Sequence, residues 1–328
     1  MSDCVMEKKR IQSLDLVKVV AMLMVLMLHV NVLKQWSSTG IDDAFYVLPG
    51  IAIPLFFMTS GYLMADKKVS REYILRKIWG IIRFSFIISV IVYGVRSAFH
   101  DDVAFPFPFC FLQLYDLGVF WYFGAMILVY AFLPLLQRVI NSQRYFVPVL
   151  VGLVVLCNLA FIACHWGFEA PNPRQFIRLY YWFLYFLMGA YIRRNPACID
   201  KIRLWWIVPA ALLFFVFYYM GFVTTGIEHY FGALPCMVYA FVTFGALVRL
   251  PIYDSKVLGR LSATFLPVYA FHWLFLQECF SHNPFYTINY SLHCIPATVI
   301  DYLIVTVVML AFGLIVMRIP YADRIFRI

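Results

Sequence analysis

Three residues in one apolar stretch near the front of the chain have types and spacing that fit joint chemistry. They are Asp15, Lys18 and His29 in SLDLVKVVAMLMVLMLHVN, residues 13–31. Lys18 and His29 are eleven residues apart. At about 100° per residue this returns to within roughly 20° of one helix face, with a rise of roughly 16 Å. Asp15 lies about 60° round from Lys18 and about 40° from His29, so the three share a stripe. A neutral imidazole takes a proton from a hydroxyl and returns it later, which is general-base work. Lys18 suits an anion such as the phosphates of a cofactor entering from inside, or a local ion pair with Asp15 three residues away. A histidine in such a helix also serves as interhelical hydrogen-bonding glue. Ionisable groups inside a spanning helix are costly, so function is the default expectation.

Other candidates sit on other apolar runs. Tyr269 and His272 are three apart in LSATFLPVYAFHWLF, residues 261–275, and either act at the site or pair as packing. In PLFFMTSGYLM, residues 54–64, Pro54 and the Thr59–Ser60–Gly61 step favour close backbone approach, and Ser60 and Tyr62 are potential donors to a substrate. Arg76, Lys77 and Arg83 form a second basic cluster, whereas Lys67, Lys68 and Arg71 read as topology signals. Trp121 is a candidate substrate contact, although it, Tyr122, Tyr130 and Pro134 read first as core or interface residues; Glu278 and Asp301 sit near helix ends, where water can solvate them.

The elements that must hold these residues are membrane helices. The 328 residues are 64% hydrophobic and 13% charged, with a mean hydropathy of +0.83, against about 25% charged in a soluble domain. Apolar runs near twenty residues without strict alternation argue against a β-barrel. They predict an all-α polytopic protein, one domain over 1–328, with ten spans near 12–34, 44–65, 78–99, 118–137, 145–165, 177–192, 204–224, 229–248, 262–280 and 296–317. With these spans, twenty Lys and Arg fall on one side and four (Lys34, Arg96, Arg174, Arg178) on the other, which predicts cytoplasmic N- and C-termini in a multi-pass cell-membrane protein. The net charge of +9 therefore needs no nucleic acid. The first run is too long for a cleaved signal peptide and is expected to stay as an anchor.

Eight cysteines without a CxxC pair or metal-ligand spacing predict no metal site. Cys279 and Cys294 bracket one outer loop and are the best-placed pair for oxidation, although buried thiols are the stronger expectation. The outer loops hold AFPFPFCF, PNPRQF and the group His282, Asn283, Pro284 and His293. Their aromatics suit a sugar-like acceptor and suit interfacial anchoring better.

Taken together and in order, several stretches resemble the integral-membrane acyltransferase 3 family. SLDLVK followed by ten residues and His29 is similar to its first span, where Lys18 stands in place of the usual arginine. Phe56, Phe57, Ser60, Gly61, Tyr62 and Leu63 resemble its FFxxSGYL helix, and Trp121, Tyr130 and Pro134 its fourth span, with Val119 where a histidine often precedes the tryptophan. FLYFLMGAYIRR at 183–194 and the set Ser262, Phe265, Tyr269 and His272 resemble its sixth and ninth spans. Arg76 and Lys77 match its paired basic motif, which Gly80 leaves partial. The resemblance implies transfer of an acyl group, usually acetyl, from cytoplasmic acyl-CoA (acetyl-CoA) to a hydroxyl of a cell-envelope glycan, a lipid-linked saccharide or a small molecule. On that reading His29 is the base, with His272 and Tyr269 beside it. Lys18, Arg76, Lys77, Arg83 and Ser60 hold the donor, and Asp15, Tyr62 and Trp121 meet the substrate. Two other classes stay open: a transporter or flippase whose permeation path the stripe lines, and a sensory or scaffold domain that has lost its chemistry.

Overall fold

The computed structural model describes residues 11–33, 47–112, 118–165, 174–222, 230–281 and 295–326, and every regular element among them is helical. Helix α1 is Gln12–Leu33. A short 3₁₀ turn, Leu48–Ile51, leads into α2 (Ala52–Met64), and Arg71–Ser97 forms α3. Ser70 caps α3 by accepting from the Tyr73 amide at 3.2 Å, a contact worth about 1 kcal/mol. Then follow α4 (Trp121–Ala131), α5 (Leu133–Ile140), α6 (Phe146–His165), α7 (Leu179–Arg194), α8 (Ile207–Phe217) and α9 (Leu234–Val248). The chain continues with α10 (Lys256–Ala263), α11 (Phe265–Leu274), α12 (Ile295–Val316) and the short α13 (Ala322–Phe326).

Every stretch expected to span is helical over most of its described length, yet among the described residues only four helices are unbroken, long and apolar enough to cross a bilayer. They lie in α1, α3, α6 and α12, and the broken pair α4–α5 makes a fifth. This pair bends by 63°, because Pro134 at the start of α5 has no N–H to continue the ladder. The expected straight span over 118–137 is thus a kinked one. The ninth stretch is also divided, since α10 stops at Ala263 and Phe275–Phe280 widens into a π-helix after α11. The outer faces of α3, α6 and α12 are apolar, with Trp79, Val151, Leu159 and Val307 among the exposed side chains, as a lipid-facing surface requires.

Helix α1 runs through the middle and touches α2, α9, α10, α11 and α12. The tightest pairing is α2 on α7. There a Cβ on Gly61 would collide with the Phe186 carbonyl, and one on Gly189 with the Met58 carbonyl. Each carbonyl lies three residues before the glycine of its own helix, so the two backbones cross in direct contact. Glu278 is not simply solvated: Arg96 reaches it at 2.9 Å and His100 at 2.8 Å, tying the end of α3 to the π-helical segment. The loop candidates His282, Asn283, Pro284 and His293, together with Cys294, lie outside the described residues.

Candidate active site

The polar stripe of α1 docks along one partner, α10–α11. At its start, the Ser262 hydroxyl donates to Asp15 at 2.7 Å, and Lys18 lies 3.9 Å from the same carboxylate. At its far end, Nε2 of His272 is 3.2 Å from Nδ1 of His29. Since Asp15 precedes His29 and Ser262 precedes His272, α1 and α10–α11 run parallel.

The partners of the two histidines assign their protons. Nδ1 of His272 faces the carbonyls of Tyr269 at 2.8 Å and Val268 at 3.2 Å. A carbonyl only accepts, so in the neutral ring that nitrogen carries the proton and Nε2 is a bare acceptor. Nδ1 of His29 faces the Val25 carbonyl at 2.9 Å as well as that bare nitrogen, so it too carries a proton. The remaining lone pair is on Nε2 of His29, the arrangement that a general base needs. His272 is fully buried, while His29 is half-buried and meets the edge of Trp273 with ring centres 5.4 Å apart. Tyr269 stands three residues before His272 on α11, and its hydroxyl donates to the Val119 carbonyl at 2.5 Å.

A cavity of about 360 Å³ opens beside α1, within the range of small-molecule sites. Lys18, Ser60, Tyr122, Tyr130 and Ser262 supply its polar groups, and Phe56, Leu63, Met126 and Phe265 are among its apolar walls. Ser60 and Thr59 bond back to the Phe56 and Leu55 carbonyls of their own helix at 3.0 and 2.7 Å, which holds both hydroxyls at the wall. Next to the Leu63–Tyr130 end, Lys67 donates to the Tyr73 hydroxyl at 3.3 Å, and Tyr73 donates to the Met64 sulfur at 3.6 Å. Nζ of Lys77 lies 5.8 Å from the same ring centre, so two ammonium groups share one tyrosine. Partial burial pushes the Lys67 ammonium below the ordinary lysine range.

Of the residues singled out in the sequence, His29, His272 and Tyr269 form one cluster, and Asp15, Lys18 and Ser60 belong to the cavity or its edge. Lys77 joins Lys67 on the Tyr73 ring beside the cavity, and the others stand apart. Arg83 donates to the Arg324 carbonyl at 3.0 Å and so fixes α13, whose Phe326 closes the cavity floor. Arg76 is exposed. Tyr62 points the other way, with the Arg193 guanidinium 5.3 Å from its ring centre and Phe244 at 6.0 Å. Trp121 packs on Trp182 at 5.0 Å. The sequence reading missed Tyr122 and Tyr130 as lining residues and Lys67 as part of a built cation pair. The available signal was Tyr122, Met126 and Tyr130 at i, i+4 and i+8, a stripe that puts two hydroxyls on one wall.

Comparison with known proteins adds one result. No curated protein and no solved structure matches the chain, whereas the family model described as an acyltransferase domain matches residues 11–318. The chain therefore belongs to the acyltransferase 3 family of acyl-transferring enzymes.

Proposed function

We propose that the protein is a multi-pass cell-membrane O-acyltransferase with both termini in the cytoplasm. It moves an acyl group, in the first instance acetyl, from cytoplasmic acyl-CoA to a hydroxyl of a cell-envelope glycan or lipid-linked saccharide. The observation that carries this reading is the pair of contacts at Nδ1 of His29, 2.9 Å from the Val25 carbonyl and 3.2 Å from Nε2 of His272, which assign the ring proton to Nδ1 and leave Nε2 as the base. The donor's phosphates rest at the basic edge near Lys18, Lys67 and Lys77. Its slim arm fills the cavity, where Ser60, Tyr122 and Ser262 meet its amides.

In the reaction, the acceptor hydroxyl gives its proton to Nε2 of His29 as its oxygen bonds to the thioester carbon. The carbon–sulfur bond then breaks, and the imidazolium returns the proton to the departing thiolate. His272 holds the ring in the working tautomer and accepts a hydrogen bond from its Nδ1, which becomes stronger as the ring gains charge.

The test compares O-acyl groups on envelope glycans by NMR in cells lacking the protein, complemented with wild type or with His29→Ala. Wild type restores O-acylation and His29→Ala does not. Identical glycans in all strains overturn the acceptor assignment, and full transfer by His29→Ala overturns the base.

A further inference from the structure

The cavity and the histidine pair do not meet. Lys18 lines the cavity, but His29 and His272 do not, although all three lie along one docked seam. The ring of Tyr269 touches both groups. It contacts three cavity-wall aromatics, with ring centres 5.9 Å from Tyr122, 5.3 Å from Phe123 and 5.7 Å from Phe265. It also contacts His272 at 5.8 Å. Phe120 stacks on it at 6.4 Å, and its hydroxyl is held by the Val119 carbonyl on the same short 3₁₀ turn, Gly118–Phe120. The tyrosine is thus wedged by rings and fastened at its tip, and it is 3% exposed.

We propose that Tyr269 is a positioning residue that partitions the donor cavity from the base, so that a bound acyl donor is kept from His29 until the ring moves aside. This inference rests on the proposed acyl-CoA reaction for its purpose, but the partition is a property of the packing. Its chemical value is protection. If the thioester met His29 without an acceptor, water would take the acceptor's place: it would give a proton to Nε2 of His29 and bond to the acyl carbon. The thiol would then leave with that proton, wasting the donor as a free carboxylic acid. Excluding water from a reactive group is a recognised use of a closed site. A hydroxyl bonded to a backbone carbonyl shifts an equilibrium by only about fivefold, a latch that substrate contacts can outweigh.

The experiment uses the full-length protein in lipid nanodiscs and two probes. The first is diethyl pyrocarbonate, with carbethoxylation of His272 followed by mass spectrometry. Tyr269→Ala is expected to raise the rate at His272 at least about fivefold, and Tyr269→Phe, which keeps the ring and loses the latch, by a smaller factor. Adding Ser60→Trp to Tyr269→Ala fills the cavity and restores protection, which identifies the cavity as the route. An unchanged rate in Tyr269→Ala with an intact thermal transition overturns the partition. If Tyr269→Ala does not fold, Tyr269→Phe decides, and a wild-type rate there overturns the latch and with it the proposal.

The second probe is acetyl-CoA alone, with thiol release as the readout. Tyr269→Phe should cleave it faster than wild type without acceptor, and His29→Ala should abolish the gain, a pattern that mere loosening of the fold does not produce. Should His272 become reactive while no variant binds or cleaves acetyl-CoA, the partition stands and the donor assignment falls.

Discussion

Helix α2 presents two faces that differ in kind. Toward α7 it offers Gly61, and backbone meets backbone: Gly61 lies on the Phe186 carbonyl and Gly189 on the Met58 carbonyl. Phe57 stacks on Trp182 there at 4.8 Å, and both rings are buried. Toward α1, α4 and α11 the same helix offers Phe56, Thr59, Ser60 and Leu63, and these line a cavity. One face of α2 is thus packed to the backbone, and another lines a hollow that carries hydroxyls. Consecutive residues, Ser60 and Gly61, project about 100° apart and so serve different neighbours. The filled side fixes where the hollow side's groups stand, which a site needs if its base is to be held in position.

The largest effect that tests this contrast is on the hollow side. His29→Ala should lower acyl transfer by about 10²–10⁴-fold, the span typical of a lost general base. The thermal transition should stay close to wild type, since His29 is only half-buried. Activity assays beside thermal unfolding in nanodiscs check both halves, and a large loss of stability would move His29 to the structural side.

Gly189→Ala should do the reverse. Its Cβ would overlap the Met58 carbonyl, an overpacking that costs about 1–3 kcal/mol. A lowered transition with residual activity per folded molecule is the expected outcome, and an unchanged transition would show that the crossing is looser than it looks. Smaller again is His272→Phe, which removes the acceptor for Nδ1 of His29 while the Val25 carbonyl keeps its own share. Losing one hydrogen bond of about 1 kcal/mol predicts a roughly fivefold fall in kcat with KM little changed. A change confined to KM would instead place His272 in substrate binding.

The sequence disclosed the two sides unequally. Apolar run lengths located the helices, because a span must satisfy its backbone internally whatever its neighbours do. The stripe of Asp15, Lys18 and His29 was legible from helical period alone, and Ser262 and His272 were legible as a motif. Two things were not. Helix breaks at Phe132 and Thr264 fall beside a proline or at a threonine that other spans tolerate, so unbroken spans were expected where broken ones occur. Which way an aromatic faces is also decided by its neighbours: Tyr62 and Tyr122 look alike in sequence, yet the first meets Arg193 and the second the cavity. Arg83 shows the same limit for charge, since its partner is a backbone carbonyl 241 positions away. Tyr269, the ring that meets both the cavity wall and His272, sits on another helix, and no period in α1 encodes its placement.

The smallest effect is the most discriminating, because it separates binding from folding by sign. Burial lowers the Lys67 ammonium below the ordinary lysine range, so the folded state holds this proton less tightly than the unfolded chain does. As pH rises through the lowered value, the folded protein loses the charge first. From neutrality up to that value the buried charge opposes folding, and this penalty fades as the proton leaves, so the Lys67 contribution to stability rises with pH until the unfolded lysine titrates as well. Binding of a phosphate-bearing donor moves the other way, since the ammonium that attracts it is the species being lost. Lys67→Met should therefore weaken acetyl-CoA binding at neutral pH and flatten the alkaline fall in affinity, while leaving the protein as stable as wild type or slightly more so. Calorimetric binding and thermal unfolding across the alkaline range measure the two slopes on one sample. If both fall together, Lys67 belongs to the scaffold with the α2–α7 crossing. If they diverge, the cation pair on Tyr73 belongs to the hollow side, and the donor site extends beyond the cavity to the edge of α3.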